Sequence, residues 1–286
     1  MNFGSHLWRL GQRHKITAVL LILLVVGLLV IGILEGKVTK LLVYLGVMAL
    51  SFLVSEFIYF TGKPAYTSWK IKAPQTEFFV VLITAMVGSG LLIYWFVLAD
   101  QETVTQTGKT VMMILRLLFL FPIVLLVYFL AVQKYRLGEL GLWGFNYWYV
   151  ALLIIIILGG ATFLAFPEGL QFEQEFQNRG IQKMLLLGFL TAAIPEEIAR
   201  TLLQTRLGRL IHHKSLAWFL VAIFWACQHI PLFSFNAGGD FYGATISALG
   251  IVPIGLLWGY LNERYRSIIP SVFIHGTNLW GLQNIF

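Results

Sequence analysis

Long apolar runs separated by short polar segments dominate the chain. They cover about residues 16–34, 41–60, 78–99, 111–132, 148–166, 183–206, 215–233, 243–262 and 267–285. A helix that crosses about 30 Å of hydrocarbon needs roughly 20 apolar residues, and most of these runs are close to that length. The alternating apolar and polar pattern of barrel strands does not occur. The pattern therefore predicts an all-α, polytopic transmembrane helix bundle of about nine spans.

The composition narrows the class of protein in the same direction. Of 286 residues, 58% are hydrophobic and 12% are charged, against about 25% charged in soluble domains. This balance excludes a soluble globular enzyme and a disordered chain. The net charge of +7 does not indicate a nucleic-acid partner, because the basic residues lie between apolar runs rather than clustered on one exposed face.

The distribution of basic residues between alternate loops predicts the orientation. One set of loops holds most of the lysines and arginines, and the other holds Lys37, Lys40, Lys109, Arg179 and Lys183. Cytoplasmic loops carry the excess of basic residues, so we expect a cytoplasmic N-terminus and an external C-terminus. The basic-rich set comprises Arg9, Arg13, Lys15, Lys63, Lys70, Lys72, Lys134, Arg136, Arg206, Arg209, Lys214, Arg264 and Arg266.

Five ionisable side chains fall inside the predicted spans: Glu56, Arg116, Glu196, Glu197 and Arg200. Each charged group near a helix centre costs about 2.5 to 3.5 kcal/mol if it is isolated. The last three lie within five residues of each other, so they must be paired or hydrated, and such groups are functional candidates. For Glu56 and Arg116 we expect mutual pairing or a side chain that reaches the membrane surface.

Helical geometry places Arg200 between the two adjacent carboxylates, because successive residues are 100° apart around the axis. One arginine can therefore reach either Glu196 or Glu197. The carboxylate that remains unneutralised is a candidate general base. A buried ion network without chemistry is the alternative interpretation of these three residues.

Two histidines follow in later spans. His229 lies in FWACQHIP, with Trp225 one turn earlier, and His275 lies in IIPSVFIHGTNLW, with Asn278 three residues later. A carboxylate, two imidazoles and an amide can activate a water and stabilise an oxyanion, as peptide hydrolysis requires. Glu196, His229 and His275 are also a possible zinc ligand set with an open position for water. No HExxH motif is present, so the spacing does not favour a metal.

Three motifs, PEEIARTLLQTRL, FWACQHIP and IHGTNLW, resemble those of the CPBP family of intramembrane proteases. This family includes prenyl-protein CAAX endopeptidases and bacterial proteins linked to bacteriocin processing and immunity. The resemblance covers about residues 137–286, which we predict to be a protease domain. Residues 1–136 are predicted to form a four-span region whose role the resemblance does not assign.

The resemblance implies a role for each motif residue. Glu196 and His229 would activate the attacking water, and His275 and Asn278 would stabilise the oxyanion. The Glu197–Arg200 pair would support the helix, and Trp225 is the aromatic residue of the second motif. Two spacings differ from the family pattern. The arginine and the asparagine each stand one residue closer to the preceding motif residue than usual, so either glutamate remains a candidate base.

The combined prediction is a CAAX-type intramembrane endopeptidase, metal- or glutamate-dependent, in a bacterial cell membrane. Its substrate would be a membrane-associated peptide or protein, with prenylated proteins as one candidate class. Two other classes of function use the same residues. A proton-coupled transporter needs a relay of acids and histidines, and a non-catalytic membrane scaffold or immunity protein would retain the cluster only as structure.

Overall fold

The computed structural model describes residues 2–62, 69–98, 108, 123–144, 147–165, 176–177, 180–182 and 185–277. All regular secondary structure in these ranges is helical, which confirms the predicted fold class. The helices are α1 (Phe3–Arg13), α2 (Lys15–Leu34), α3 (Val38–Gly62), α4 (Pro74–Leu98), α5 (Ile123–Val132), α6 (Trp148–Ala165), α7 (Ile194–Leu210), α8 (Lys214–Cys227), α9 (Ile230–Asn236), α10 (Phe241–Tyr265) and α11 (Ile269–Thr277).

Among the described residues, five helical stretches are long and apolar enough to cross a membrane. They are Lys15–Leu34, Val38–Gly62, Pro74–Leu91, Lys214–Phe235 and Phe241–Tyr265. Two shorter apolar helices, Ile123–Val132 and Trp148–Leu164, add to the bundle. The chain is therefore an integral membrane protein. The count of nine spans remains a prediction, because parts of the predicted runs 111–132 and 267–285 lie outside the described residues.

A stretch of π-helix, Leu186–Ala193, leads directly into α7. Hydrogen bonds from residue i to i+5 widen the helix there, and such stretches often occur next to functional sites. Pro195 lies in the first turn of α7, and because the π-helix runs directly into that turn, the N–H that proline lacks leaves a carbonyl of the preceding turn without its helical hydrogen bond. The change in helix type therefore falls just before Glu196 and Glu197.

Helix α10 lies at the centre of the described bundle and packs against α3, α7, α8, α9 and α11. Its middle section is almost wholly buried. Gly255 and Gly259 are four residues apart, a spacing of small residues that lets neighbouring helices approach closely. A Cβ on Gly255 would lie 2.7 Å from Trp225 of α8, and a Cβ on Gly259 would lie 2.7 Å from Gln204 of α7.

Glu77 precedes the predicted run 78–99 and Arg206 was counted among the basic loop residues. The structure corrects both of these loop assignments. Glu77 and Arg206 are completely buried, and the Arg206 Nε donates to Glu77 Oε2 at 2.9 Å. The Tyr135 hydroxyl donates to Glu77 Oε1 at 2.7 Å. Burial, reinforced by this hydrogen bond, raises the pKa of Tyr135 to about 12. The phenol therefore stays protonated and serves as a donor that helps to compensate the buried carboxylate.

Glu56 has partners that the sequence analysis did not identify. Its carboxylate accepts from Arg264 Nε of α10 at 2.8 Å and contacts His6 Nε2 of α1 at 2.6 Å. The Tyr260 hydroxyl also donates to it. The expected partner, Arg116, lies outside the described residues. Glu56 thus ties α1 and α3 to the end of α10.

We predict that Gly255→Ala destabilises the fold. The added methyl overlaps the rigid indole of Trp225, and overpacking of this kind costs about 1 to 3 kcal/mol. Thermal unfolding of the purified protein in detergent measures the effect. Gly46→Ala of α3 is the matched control, because nothing lies within 4 Å of its added Cβ. Equal melting temperatures for the two variants would contradict the proposed close contact.

Candidate active site

Glu197 of α7 is completely buried and all of its carboxylate is engaged. Its Oε1 accepts from Arg200 on the next turn and from His275 Nδ1 of α11 at 3.0 Å. Its Oε2 accepts from the Asn262 amide of α10 at 2.9 Å. A buried carboxylate requires such compensation, because an unpaired charge in an apolar interior is very costly. The residue therefore joins three helices at one point.

Asn262 is a site residue that the sequence analysis missed. Besides Glu197, its amide donates to Thr201 Oγ1 at 2.8 Å, and its Oδ1 accepts from the Ser271 hydroxyl. All of its side-chain polar atoms are thus satisfied inside the protein. The residue stands at the end of a predicted span, where an asparagine is readily taken for a group at the membrane surface. Its position one turn beyond Trp258, on the same helical face, was the available signal.

Glu196 has a different environment from its neighbour. Its side chain is 29% exposed, and the Trp225 Nε1–H donates to Oε2 at 2.6 Å. The same Oε2 lies 3.7 Å from His275 Nε2. Arg200 pairs with Glu197 rather than with Glu196, although the helical wheel allowed either. The adjacent carboxylates are thus one fully paired group and one partly accessible group.

His275 bridges the two carboxylates. Because Nδ1 donates to Glu197, the Nε2 of a neutral ring is left as an acceptor that faces Glu196. The imidazole stacks on the Trp258 indole, with ring centroids 3.9 Å apart and an interplanar angle of 14°. The hydrogen bond and the stacking together fix both the tautomer and the orientation of the ring.

Two indoles enclose the Arg200 side chain. Its Cζ lies 4.5 Å from the Trp225 ring centroid and 5.0 Å from that of Trp258. These contacts add cation–π attraction to the ion pair with Glu197. The remaining Nε and second terminal nitrogen of Arg200 are buried and have no hydrogen-bond partner in the described part of the chain. The guanidinium therefore retains donors that Glu197 does not use.

His229 contacts Trp225 and not the carboxylates among the contacts of the described residues. Its ring contacts the Trp225 ring at a centroid distance of 4.6 Å, and its Nδ1 donates to the Trp225 carbonyl at 2.9 Å. The residue stands in the break between α8 and α9, which Pro231 helps to create. It makes no hydrogen bond or ion pair with Glu196 or His275 within the described ranges. Asn278 lies outside the described residues.

The candidate zinc ligands do not fit a metal site in this arrangement. Trp225 contacts His229 through its ring and Glu196 through its Nε1–H. Among the described residues, no group of three or more histidine, cysteine, aspartate or glutamate side chains is gathered as a ligand set.

A small cavity adjoins Glu196 and is lined by Arg200, Trp225 and residues of α4. Its volume of about 70 Å³ is sufficient for water, which needs about 10 to 15 Å³. On its far side, the Gln228 amide donates to Ser89 Oγ at 2.7 Å and so connects α8 to α4. The partly accessible carboxylate thus has room for a water beside it.

Residues 179–280 match the family model of the Rce1-like type II CAAX prenyl endopeptidase. This range contains both glutamates, Arg200, Trp225 and both histidines. The match covers about a third of the chain and supports its resemblance to the CPBP family of CAAX-type intramembrane proteases over that range. The matched range begins after the start of our predicted protease domain at residue 137, and that boundary stays a prediction. No curated protein and no solved structure matches the chain.

The buried contacts of Glu197 predict that Glu197→Gln is strongly destabilising. The substitution leaves Arg200 buried without a countercharge, and removal of one partner of a buried pair costs about 3 to 5 kcal/mol. Chemical unfolding in detergent, monitored by tryptophan fluorescence, measures the loss. Glu196→Gln is the matched control, because Glu196 is partly exposed and makes no ion pair with Arg200. Similar stability of the two variants would show that the adjacent carboxylates do not differ as described.

Proposed function

We propose that this protein is a CAAX-type intramembrane endopeptidase in which Glu196 is the general base that activates the attacking water. One observation carries the proposal: of two adjacent carboxylates, only Glu196 has an oxygen free to accept a proton. Both oxygens of Glu197 are occupied by Arg200, His275 and Asn262. Glu196 Oε1 has no hydrogen-bond partner among the described residues, and the side chain lines a cavity large enough for water.

The reaction follows from that geometry. A water in the cavity donates a hydrogen bond to Glu196, and its oxygen attacks the peptide carbonyl carbon. Glu196 takes the proton as the new C–O bond forms, and the carbonyl oxygen becomes an oxyanion. The protonated carboxyl then delivers this proton to the departing amine as the C–N bond breaks. No covalent acyl-enzyme is needed, because the attacking oxygen is that of the water.

His275 is proposed to stabilise the oxyanion. Its Nε2 faces the space beside Glu196, while its Nδ1 is held by Glu197, so an N–H at Nε2 would point toward the carbonyl oxygen of a bound peptide. A preorganised donor at the developing charge is a large contribution to catalysis. Asn278 remains a predicted second donor. His229 remains a predicted second group for water activation. Its Nδ1 donates to the Trp225 carbonyl, so its Nε2 is left as an acceptor.

The family model that matches residues 179–280 suggests the substrate class. CAAX-type endopeptidases of the matched family are described as prenyl endopeptidases. We therefore propose a membrane-associated protein or peptide, prenylated near its C-terminus, as the substrate. A farnesylated peptide with a quenched fluorophore pair across the scissile bond, presented to the purified protein in detergent or liposomes, is the direct probe of this proposal.

Glu196→Gln is expected to reduce cleavage of this peptide by about 10² to 10⁴-fold, the usual contribution of a general base. The amide cannot take the proton, yet it retains the shape of the side chain and an acceptor for Trp225. The melting temperature should stay close to that of the unsubstituted protein. Substantial cleavage by Glu196→Gln, with a peptide that the unsubstituted protein cleaves, would rule out Glu196 as the base.

Trp225 is proposed to position Glu196. Trp225→Phe keeps an aromatic ring beside Arg200 and His229 but removes the N–H that holds the carboxylate. A hydrogen bond to a charged group contributes about 1.5 to 3 kcal/mol, so we expect kcat to fall about 10- to 100-fold. KM should change little, because the indole N–H is directed at the enzyme's own carboxylate. A rise in KM with unchanged kcat would instead indicate a role in substrate binding.

A further inference from the structure

A second, larger opening lies at the end of α7 opposite to Glu196. Its volume is about 430 Å³, within the range of ligand sites. We call it the basic cleft and define it by Trp69, Arg209, His212, Lys214, Glu263 and Arg266. It shares no lining residue with the cavity at Glu196. Gln204, the innermost residue on α7, is eight positions beyond Glu196, or about 12 Å along the axis.

The charge of the basic cleft is unbalanced. Three cationic side chains, Arg209, Lys214 and Arg266, face one carboxylate, that of Glu263. The ion pairs of Glu263 with Lys214 and Arg266 are long, at 3.6 and 3.5 Å, and the Lys214 side chain is 68% exposed. Arg209 is exposed and has no ion-pair partner within the described ranges. Arg209 and Lys214 can therefore bind an anionic group without losing a tight ion pair.

The cleft also lies where membrane spans end. The stretch Lys214–Phe235 begins at its rim, and Phe241–Tyr265 ends one residue before Arg266. Trp69 occupies the rim as well, with the Arg266 guanidinium 5.2 Å from its ring. Tryptophan is enriched at the level of lipid headgroups. These residues belong to the basic-rich set of loops that we predict to be cytoplasmic.

The backbone at the rim has an uncommon conformation at two positions. His212 and Arg266, neither of them glycine, have φ angles of 53° and 52°. Left-handed geometry costs such residues about 1 kcal/mol or more and often marks a functional segment. Here it turns the chain sharply after α7 and after α10, so that Arg209, Lys214 and Arg266 face a common opening.

We propose that the basic cleft binds the phosphate headgroup of an anionic membrane lipid. The volume of about 430 Å³ is larger than an inorganic anion requires and leaves room for the glycerol of a headgroup. Basic openings between helices at this membrane surface are typical headgroup sites. The bound headgroup would join the ends of α7, α8 and α10, the helices that carry Glu196, Trp225 and Trp258. The proposal does not depend on the protease reaction.

The test is thermal unfolding of the full chain in a non-ionic detergent with short-chain phosphatidylglycerol, short-chain phosphatidylcholine or inorganic phosphate. We expect saturable stabilisation by phosphatidylglycerol alone, because ligand binding to the folded state raises the melting temperature. Equal stabilisation by phosphatidylcholine would overturn the anionic requirement. Equal stabilisation by inorganic phosphate would overturn the lipid assignment in favour of a free phosphate site.

Substitutions within the cleft provide the second part of the test. Arg209→Gln and Lys214→Gln should each weaken the phosphatidylglycerol affinity about fivefold, the effect of one basic residue at an anionic lipid. Glu263→Gln should strengthen it, because the competing carboxylate is removed. Arg136→Gln, an exposed arginine outside the cleft, is the control and should bind unchanged. Equal weakening in the control, or no gain with Glu263→Gln, would overturn the site.

Discussion

The carboxylate of Glu197 is the constraint on which the functional region depends. A charge in an interior of low polarity is tolerated only when every lone pair has a partner, and here the partners come from α7, α10 and α11. Helices in a membrane have little hydrophobic drive to associate, since lipid tails are as apolar as the side chains. A satisfied buried ion therefore supplies much of the specificity with which these three helices meet.

The same constraint separates two chemically identical neighbours. Because Glu197 uses Arg200, His275 and Asn262, the acid one residue earlier is left with an indole donor and an accessible face. Environment, rather than residue type, thus makes one carboxylate fully paired and the other partly accessible, a common arrangement where two carboxyl groups share a site. The shorter spacing of Arg200 in this chain is compatible with the division, since residues three apart on a helix lie on neighbouring faces.

Aromatic side chains pack against the polar groups of the site and hold them in position. Trp225 contacts Arg200, His229 and Trp258 and donates to Glu196, while Trp258 stacks on His275. Indoles combine a large apolar surface with one polar donor, so they can line a polar site inside an apolar bundle. Their close approach depends on Gly255, whose missing side chain gives the Trp225 ring its space. The site is rigid because large rings and small residues alternate across the α8–α10 contact.

The sequence by itself determined the fold class, the membrane environment and most of the candidate site. Long apolar runs, three adjacent charges within one of them and the motifs around Glu196, His229 and His275 are local features, and a local pattern can be recognised without coordinates. The family match at residues 179–280 agrees with that interpretation. The π-helical entry to α7 depends on packing, and no residue pattern indicated it. The position of Asn262 one turn beyond Trp258 was visible in the sequence, but its hydrogen-bond partners were not.

Only the tertiary structure decided which charge pairs with which. Helical geometry left Arg200 equally able to reach Glu196 or Glu197, and the choice depends on Asn262 and His275, which are distant in the sequence. Glu77 and Arg206 were assigned to loops because each lies at the edge of an apolar run. In the structure they form a buried ion pair, although 129 positions separate them in the sequence. Electrostatic pairing is a property of distance in space, and the apolar pattern of a sequence does not encode that distance.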